Sequence, residues 1–248
     1  MRQLISYLKI AAFVVGTLAL YSFFWILRPI IPNKLYWRQI AFRTWSAMLL
    51  RLANVRLNIV GTPPAAPFFL VSNHLGYIDV PVLRIAANGI FVAKSEVESW
   101  PVAGKIIRDM GIIFIDRNNR RDIPRAGEQI TKRLEAGEGV VVFAEGKIGN
   151  GSSVLPFNSS FLQFPAASGI PVSSATLHYE TFPGDPPASK VVVWWEEISF
   201  MAHLRRLFTL KGFTATVTFG DEPILDADRK ELARRLHESV VSNFRPIE

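Results

Sequence analysis

The chain has 248 residues, enough for one sizeable domain with its own core, and 49% of them are hydrophobic, which calls for a search for a membrane segment. It contains no cysteine, so disulfides, thiolate metal sites and a cysteine nucleophile are excluded. The net charge of +7 arises in the first third, because residues 1–78 carry eight basic side chains and no acidic one. Since this charge accompanies the most apolar segment, it indicates anionic lipid headgroups and not a nucleic acid as the partner.

The N-terminal third predicts a membrane anchor over residues 1–54. Residues 10–27 form an uncharged run, which as a helix spans about 27 Å, close to the thickness of a hydrocarbon core. Residues 34–53 predict a second, interfacial helix, and the basic residues after the first helix predict that the rest of the chain faces the cytoplasm. Three alternatives stay open: a signal peptide, a shallow or re-entrant placement of the first helix, and a core position for the second.

From residue 55 onward, short β-rich runs alternate with helical patterns. This alternation predicts an α/β domain over 55–248, with a mixed central sheet flanked by helices. The predicted strands are 55–61, 68–72, 90–93, 112–116, 140–144, 171–179, 190–195 and 213–220. The predicted helices are 79–87, 99–109, 121–136, 157–168, 200–208 and 227–243.

One stretch of this domain, "NHLGYID" at 73–79, carries the pattern of a catalytic base. His74 follows an apolar strand, the position at which α/β sheets present reactive groups, and Gly76 permits a turn that returns Asp79 to the imidazole. A carboxylate on one ring nitrogen fixes the tautomer and leaves the other nitrogen as a general base. The chain has no G-x-S-x-G elbow, P-loop or metal-ligand cluster, and its other histidines, at 178, 203 and 237, are isolated. A base without a protein nucleophile indicates activation of a substrate hydroxyl.

Four blocks of this sequence together resemble the glycerolipid acyltransferases that acylate 1-acyl-sn-glycerol-3-phosphate and related lysolipids. "NHLGYID" matches the first block, N-H-x4-D, and residues 93–117 resemble the second. The third, usually F-P-E-G-T-R, is here "FAEGKIGNGSSVLPF" (143–157), which lacks the proline, threonine and arginine. Residues 169–177 resemble the fourth block, and the resemblance covers about 68–220.

The resemblance implies direct acyl transfer without a cofactor or a metal. His74 would deprotonate the hydroxyl of a lysolipid, Asp79 would orient His74, and acyl-CoA or acyl-carrier protein would be the donor substrate. Lys94 would stabilise the developing oxyanion, and the acceptor would be bound by Asn73, Arg117, Glu145, Gly146 and Lys147. A surface position for Lys94, an Asp116–Arg117 ion pair and a loop-capping role for Glu145 remain open.

The acceptor implied first is 1-acyl-sn-glycerol-3-phosphate, giving phosphatidic acid. The altered third block leaves two alternatives: another lysolipid, such as lyso-ornithine lipid, and a catalytically idle lipid-binding relative. A nucleic-acid partner is not expected, because residues 79–248 show no basic stripe.

Overall fold

The structure, a computed structural model, describes residues 2–116 and 122–248. Two helices, α1 (Arg2–Leu27) and α2 (Lys34–Leu52), precede a domain built around one sheet. The strands are β1 (Val55–Val60), β2 (Phe69–Ser72), β3 (Gly89–Lys94), β4 (Ile113–Ile115), β5 (Gly139–Phe143), β6 (Val172–Thr181) and β7 (Phe213–Phe219). The helices that follow α2 are α3 (Asp79–Ala87), α4 (Ser95–Glu98), α5 (Ala103–Asp109), α6 (Asp122–Glu135), α7 (Gln163–Ser168), α8 (Ala188–Val191), α9 (Phe200–Phe208) and α10 (Arg229–Ser242), and a 3-10 turn covers Ser159–Leu162.

The sheet has the strand order β1-β7-β6-β2-β5-β3-β4 and is mixed. Strands β6, β2, β5, β3 and β4 run parallel to one another, whereas β7 is antiparallel to β6 and parallel to β1. Each residue of β2 and β5 is buried, as expected for central parallel strands covered on both faces. The predicted α/β class with a mixed sheet is confirmed.

Helices cover both faces of the sheet. One apolar cluster packs α2, α3 and α9 against side chains such as Leu70 and Phe143, and the other packs α6, α7 and α10 against the alternate residues, such as Val71 and Val142. The alternation follows from the period of two along a strand.

Helix α2 is part of the first of these layers. Its side chains Phe42 and Leu49 are buried in the cluster, and Arg38 donates to the buried carboxylate of Glu138 at 2.6 Å. This packing corresponds to the alternative, left open for residues 34–53, of a helix in the core of the domain. Helix α2 lies beside the amino-terminal ends of β3 and β5. Arg84 of α3 bonds both the Gln39 carbonyl of α2 and the Gly89 carbonyl of β3, and Glu138, the partner of Arg38, directly precedes β5.

The prediction of a strand at 190–195 is wrong. Those residues form the end of α8 and an irregular segment, in which the consecutive Val191, Val192 and Val193 are all buried. The amides of Val192 and Val193 bond the carbonyl of Ala188, and the Trp194 amide bonds the Leu75 carbonyl at 2.8 Å. The backbone N–H groups of this segment are therefore bonded by a local turn and by the loop after β2, and the segment does not pair with a strand of the sheet.

Candidate active site

The candidate active site lies at the carboxyl edge of the parallel strands. His74 follows β2, Glu145 follows β5, and Lys94 ends β3. Because β2 pairs with β5 and β5 with β3, these ends meet at one edge of the sheet. Residues far apart in the chain are thus brought together by strand pairing alone.

The His74 ring and the Asp79 carboxylate form a hydrogen-bonded pair, with Nδ1 and Oδ2 separated by 2.7 Å. The same Oδ2 accepts the backbone N–H of Leu75 at 2.7 Å and of Gly76 at 3.0 Å. Asp79 is fully buried at the first turn of α3, where the helix dipole favours negative charge. These contacts stabilise an ionised carboxylate that faces the ring.

The turn between the two residues depends on Gly76. The Asp79 amide bonds the Gly76 carbonyl at 3.2 Å, which closes the turn. A Cβ on Gly76, whose φ is +157°, would lie 3.2 Å from Trp194 Cβ and 3.3 Å from its backbone nitrogen. The residue therefore allows the loop to pack closely against the segment after α8.

The His74 imidazole is held by packing on one face and open elsewhere. It stacks on Phe143, the last residue of β5, with ring centroids 4.0 Å apart and an angle of 11° between the planes. Its side chain is 19% exposed, and Nε2 has no hydrogen-bond partner among residues 2–116 and 122–248. With Nδ1–H donating to Asp79, Nε2 carries the lone pair that a general base requires.

Asn73 is buried, and its amide bonds β6. Its Nδ2 donates to the Leu177 carbonyl at 3.1 Å, and its Oδ1 accepts the Leu177 amide at 2.7 Å. Strand β6 continues beyond the end of β2, since Ser72 pairs with Ala175. The Asn73 side chain is directed into the protein, where it fixes the backbone next to His74, and its predicted role in substrate binding stays a prediction.

Glu145 has a comparable position on the other side of His74. Its Oε1 accepts the His74 amide at 2.9 Å, and its Oε2 accepts the Leu155 amide at 3.2 Å. Burial raises the pKa of this carboxyl to about 7, aided by the charge of Asp79 and opposed by the two N–H donors. Both oxygens are engaged by the backbone, which corresponds to the loop-capping alternative.

The other predicted site residues differ in their surroundings. Gly146 adopts φ +74° in the turn after β5, and its amide bonds the Phe143 carbonyl at 3.1 Å. Lys147 is exposed in that turn, and Lys94 is exposed at the carboxyl end of β3. Arg117 lies outside the described residues, and so the prediction made for it stays a prediction.

Tyr179 of β6 also belongs to the site, although no motif in the sequence marks it. This side chain is 1% exposed, and its hydroxyl donates to Asp79 Oδ1 at 2.6 Å. Its signal in the sequence is weak: a tyrosine at an inward position of a strand, where a buried hydroxyl needs a partner.

The other three histidines contact a tyrosine hydroxyl or backbone carbonyls. His203 is buried, with Nδ1 3.1 Å from the Tyr77 hydroxyl, and burial lowers its pKa to about 4. His178 and His237 lie near backbone carbonyls at 3.2 and 3.5 Å. Within the two described ranges, no group of three or more His, Cys, Asp or Glu side chains is arranged to hold a metal ion.

Comparisons with known proteins match most of this chain. The family model described as Acyltransferase matches residues 56–177. The chain is 29% identical to lyso-ornithine lipid O-acyltransferase of Brucella abortus, over 94% of this chain and 91% of that one. It is 30% identical to 1-acyl-sn-glycerol-3-phosphate acyltransferase of Neisseria gonorrhoeae, over 73% of this chain and 72% of that one.

A solved structure has the same fold. The crystal structure of the 1-acyl-sn-glycerophosphate acyltransferase PlsC from Thermotoga maritima superposes with a TM-score of 0.72, covers 98% of this chain and 95% of its own, and is 19% identical. At 19% identity this structure shows the fold alone, whereas the sequence matches show the family. The chain is an acyltransferase and belongs to the acyltransferase family, to which its resemblance to the glycerolipid acyltransferases pointed.

Proposed function

We propose that this acyltransferase moves a fatty acyl group from the thioester of acyl-CoA or acyl-carrier protein to the free hydroxyl of a lysolipid. The observation that carries the proposal is the His74–Asp79 pair. Asp79 orients the imidazole at the carboxyl edge of the sheet, where the His74 side chain is partly exposed. We assign no protein side chain as a nucleophile for this base to activate. His74 and Asp79 are the catalytic residues of this proposal.

The reaction follows from the orientation of the ring. Nε2 of His74 takes the proton of the acceptor hydroxyl as the oxygen attacks the thioester carbonyl carbon, and a tetrahedral oxyanion forms. The C–S bond then breaks, the carbonyl reforms as an ester, and the proton passes from Nε2 to the departing thiolate. Asp79 stabilises the imidazolium that exists between these two transfers.

Lys94 is the candidate donor for the oxyanion. It ends β3, which is separated from β2 by β5, so its backbone lies about 10 Å from that of the strand before His74. By the alternation along β3, Lys94 leaves the strand on the face of Val92, whereas His74 stacks on Phe143 of the opposite face, so the lysine side chain would have to turn over the end of the strand to reach the site. A cation there would stabilise charge that develops on the carbonyl oxygen.

A lyso-ornithine lipid is the first acceptor we propose. Four relatives of that name match 94%, 82%, 80% and 88% of this chain, whereas the 1-acyl-sn-glycerol-3-phosphate acyltransferase of Neisseria gonorrhoeae matches 73%. The third block also lacks the arginine that would bind a phosphate with two parallel bonds, and Lys147 offers a single point charge. The second candidate is 1-acyl-sn-glycerol-3-phosphate, favoured by a relative at 30% identity.

The acceptor is tested by mass-spectrometric detection of acylated product from purified protein in mixed micelles. Each donor is paired with lyso-ornithine lipid, lysophosphatidic acid and a zwitterionic lysophospholipid, and His74→Ala is the control. Product from lyso-ornithine lipid that is lost in the variant supports the first acceptor. Product from lysophosphatidic acid alone would overturn that choice and keep the mechanism, and no product from any pair would contradict the proposed function.

The enzyme acts at a membrane, and we propose that α1 lies along the membrane surface and does not cross it. This helix is long and apolar enough to span, and outward side chains such as Leu8, Val15 and Ile26 are more than half exposed. Near its start Arg2 pairs with Asp185 at 2.9 Å, and near its end Tyr21 bonds Asp109 at 2.5 Å. A spanning α1 would draw this whole polar side of the domain into the hydrocarbon, at a large desolvation cost.

Single cysteines test this placement, because the chain has none of its own. Ile5→Cys lies near the start of α1, Ile30→Cys lies just after its end, and Val241→Cys on α10 reports the side of the domain; all three side chains are exposed. In sealed vesicles, a membrane-impermeant maleimide should label all three from the same side. Labelling of positions 5 and 30 from opposite sides would refute the placement, and the side that labels position 241 tests the predicted cytoplasmic orientation.

A further inference from the structure

Strand β6 contacts the loop of residues 73–79 on both sides of His74. Beyond the end of β2, the backbone of Leu177 binds Asn73, the residue before His74, and two positions later Tyr179 binds Asp79. The backbone of Leu177 and the side chain of Tyr179 belong to the same strand, so both contacts come from one element. The match to the family model ends at residue 177, before Tyr179.

The two oxygens of Asp79 differ in their contacts. Oδ2 receives His74 Nδ1 and the amides of Leu75 and Gly76. Within residues 2–116 and 122–248, Tyr179 is the one hydrogen-bond donor to Oδ1. Because the carboxylate is fully buried, no solvent replaces this donor when it is removed.

The surroundings of the Tyr179 hydroxyl keep it protonated, so that it can donate to Asp79. Its ring packs edge-on against Phe213, with centroids 5.7 Å apart, in the apolar cluster on the α3 side of the sheet. Burial, followed by the nearby charge of Asp79, raises the pKa of Tyr179 well above its ordinary value. The hydroxyl therefore keeps its proton at any pH at which the enzyme would work.

We propose that Tyr179 is a positioning residue that fixes the Asp79 carboxylate and sets the pH at which the His74–Asp79 pair is competent as a base. The proposal rests on the proposed function for its effect on rate. Without the hydroxyl, the carboxylate loses a donor that disperses its charge and gains freedom to rotate. The pair then binds its proton more tightly, and the neutral imidazole needed for catalysis forms at higher pH.

Other titratable groups near the pair do not reproduce this contact. Glu145, from the turn after β5, contacts the His74 amide and not the ring. Tyr77 of the same loop is bonded to His203 of α9.

The variant that tests the proposal is Tyr179→Phe, which removes one oxygen and keeps the ring. We expect kcat to fall about tenfold at neutral pH with KM nearly unchanged, since a hydrogen bond to a charged group is lost away from the substrates. We also expect the acid limb of the kcat/KM profile to move up by about one pH unit. Phe213→Leu is the matched control: it loosens the packing around Tyr179 and keeps the hydroxyl, and so it should lower thermal stability without moving the pH profile.

A measurement without turnover separates this proposal from the proposed function. The titration of the His74 ring is followed by NMR of side-chain nitrogens in micelles, with His74→Gln to assign the signal among four histidines. Tyr179→Phe should raise the midpoint by about one pH unit, whether or not an acceptor has been found. An unchanged midpoint in a folded variant would overturn the role of Tyr179, whereas a shifted midpoint in an enzyme inactive on all acceptors would contradict the proposed function alone.

Discussion

Asp79→Asn removes the charge that the proposed mechanism places against the imidazolium, and the structure indicates that the fold survives the change. The amide oxygen can occupy the Oδ2 position, where three N–H donors converge. The amide nitrogen then faces the Tyr179 hydroxyl, which can rotate to accept from it. The hydrogen bonds are conserved in number, and the negative charge is lost.

The size of the effect follows from the short distance in the pair. With Nδ1 and Oδ2 2.7 Å apart, the two charge centres are about 4 Å apart, and their attraction is about 4 kcal/mol at an effective dielectric constant near 20. If this attraction is present only when the ring is protonated, its loss lowers kcat by about 10³-fold.

A steady-state assay with a double-mutant cycle measures the loss. Release of the donor thiol is followed with a thiol reagent, to which this cysteine-free protein contributes no background. In the His74→Ala background, Asp79→Asn should have little further effect, because the two side chains act as a unit. A fully active Asp79→Asn enzyme, or an equal loss in both backgrounds, would refute the coupling.

The remaining predictions concern stability and membrane binding. Because folding raises the pKa of Glu145 from 4.5 to about 7, the folded state holds this proton more tightly, and stability should fall as pH rises through that interval, by on the order of 3 kcal/mol. Urea unfolding at pH 5 and 8 should show this loss in the wild type and not in Glu145→Gln; equal losses would contradict it. Arg38→Met removes the shortest ion pair of the buried Glu138 carboxylate and leaves it the longer contacts with Arg133 and Gln39, so it should cost at most about 3 kcal/mol in the same assay; no measurable cost would show that the Arg38 pair is not needed. The exposed apolar surface of α1 should bind lipid, so Val15→Glu with Ile26→Glu should weaken sedimentation with anionic vesicles while the melting temperature holds; unchanged sedimentation would argue against α1 as the contact.

The sequence by itself determined the fold class and predicted the His74–Asp79 contact. Hydrophobic periodicity located the strands of the sheet, since burial on both faces requires continuous apolar runs, and it failed at 190–195, where the valines are buried by local turns. His74 and Asp79 were accessible because their five-residue spacing and Gly76 make the contact local. The third block was recognised as a site element, although its deviation from the family pattern left the acceptor open.

Only the tertiary structure decided what surrounds that pair. Tyr179 lies 100 positions after Asp79, and no local pattern links them; the parallel pairing of β2 with β6 and the length of β6 bring them together. The pairing of β2 with β6 also brings Asn73 to Leu177, and the pairing of β2 with β5 brings Glu145 to the His74 amide, so two residues expected to bind substrate hold the loop that carries His74. The tertiary structure also packs α2 into the core, a position that its weak hydrophobic pattern left open.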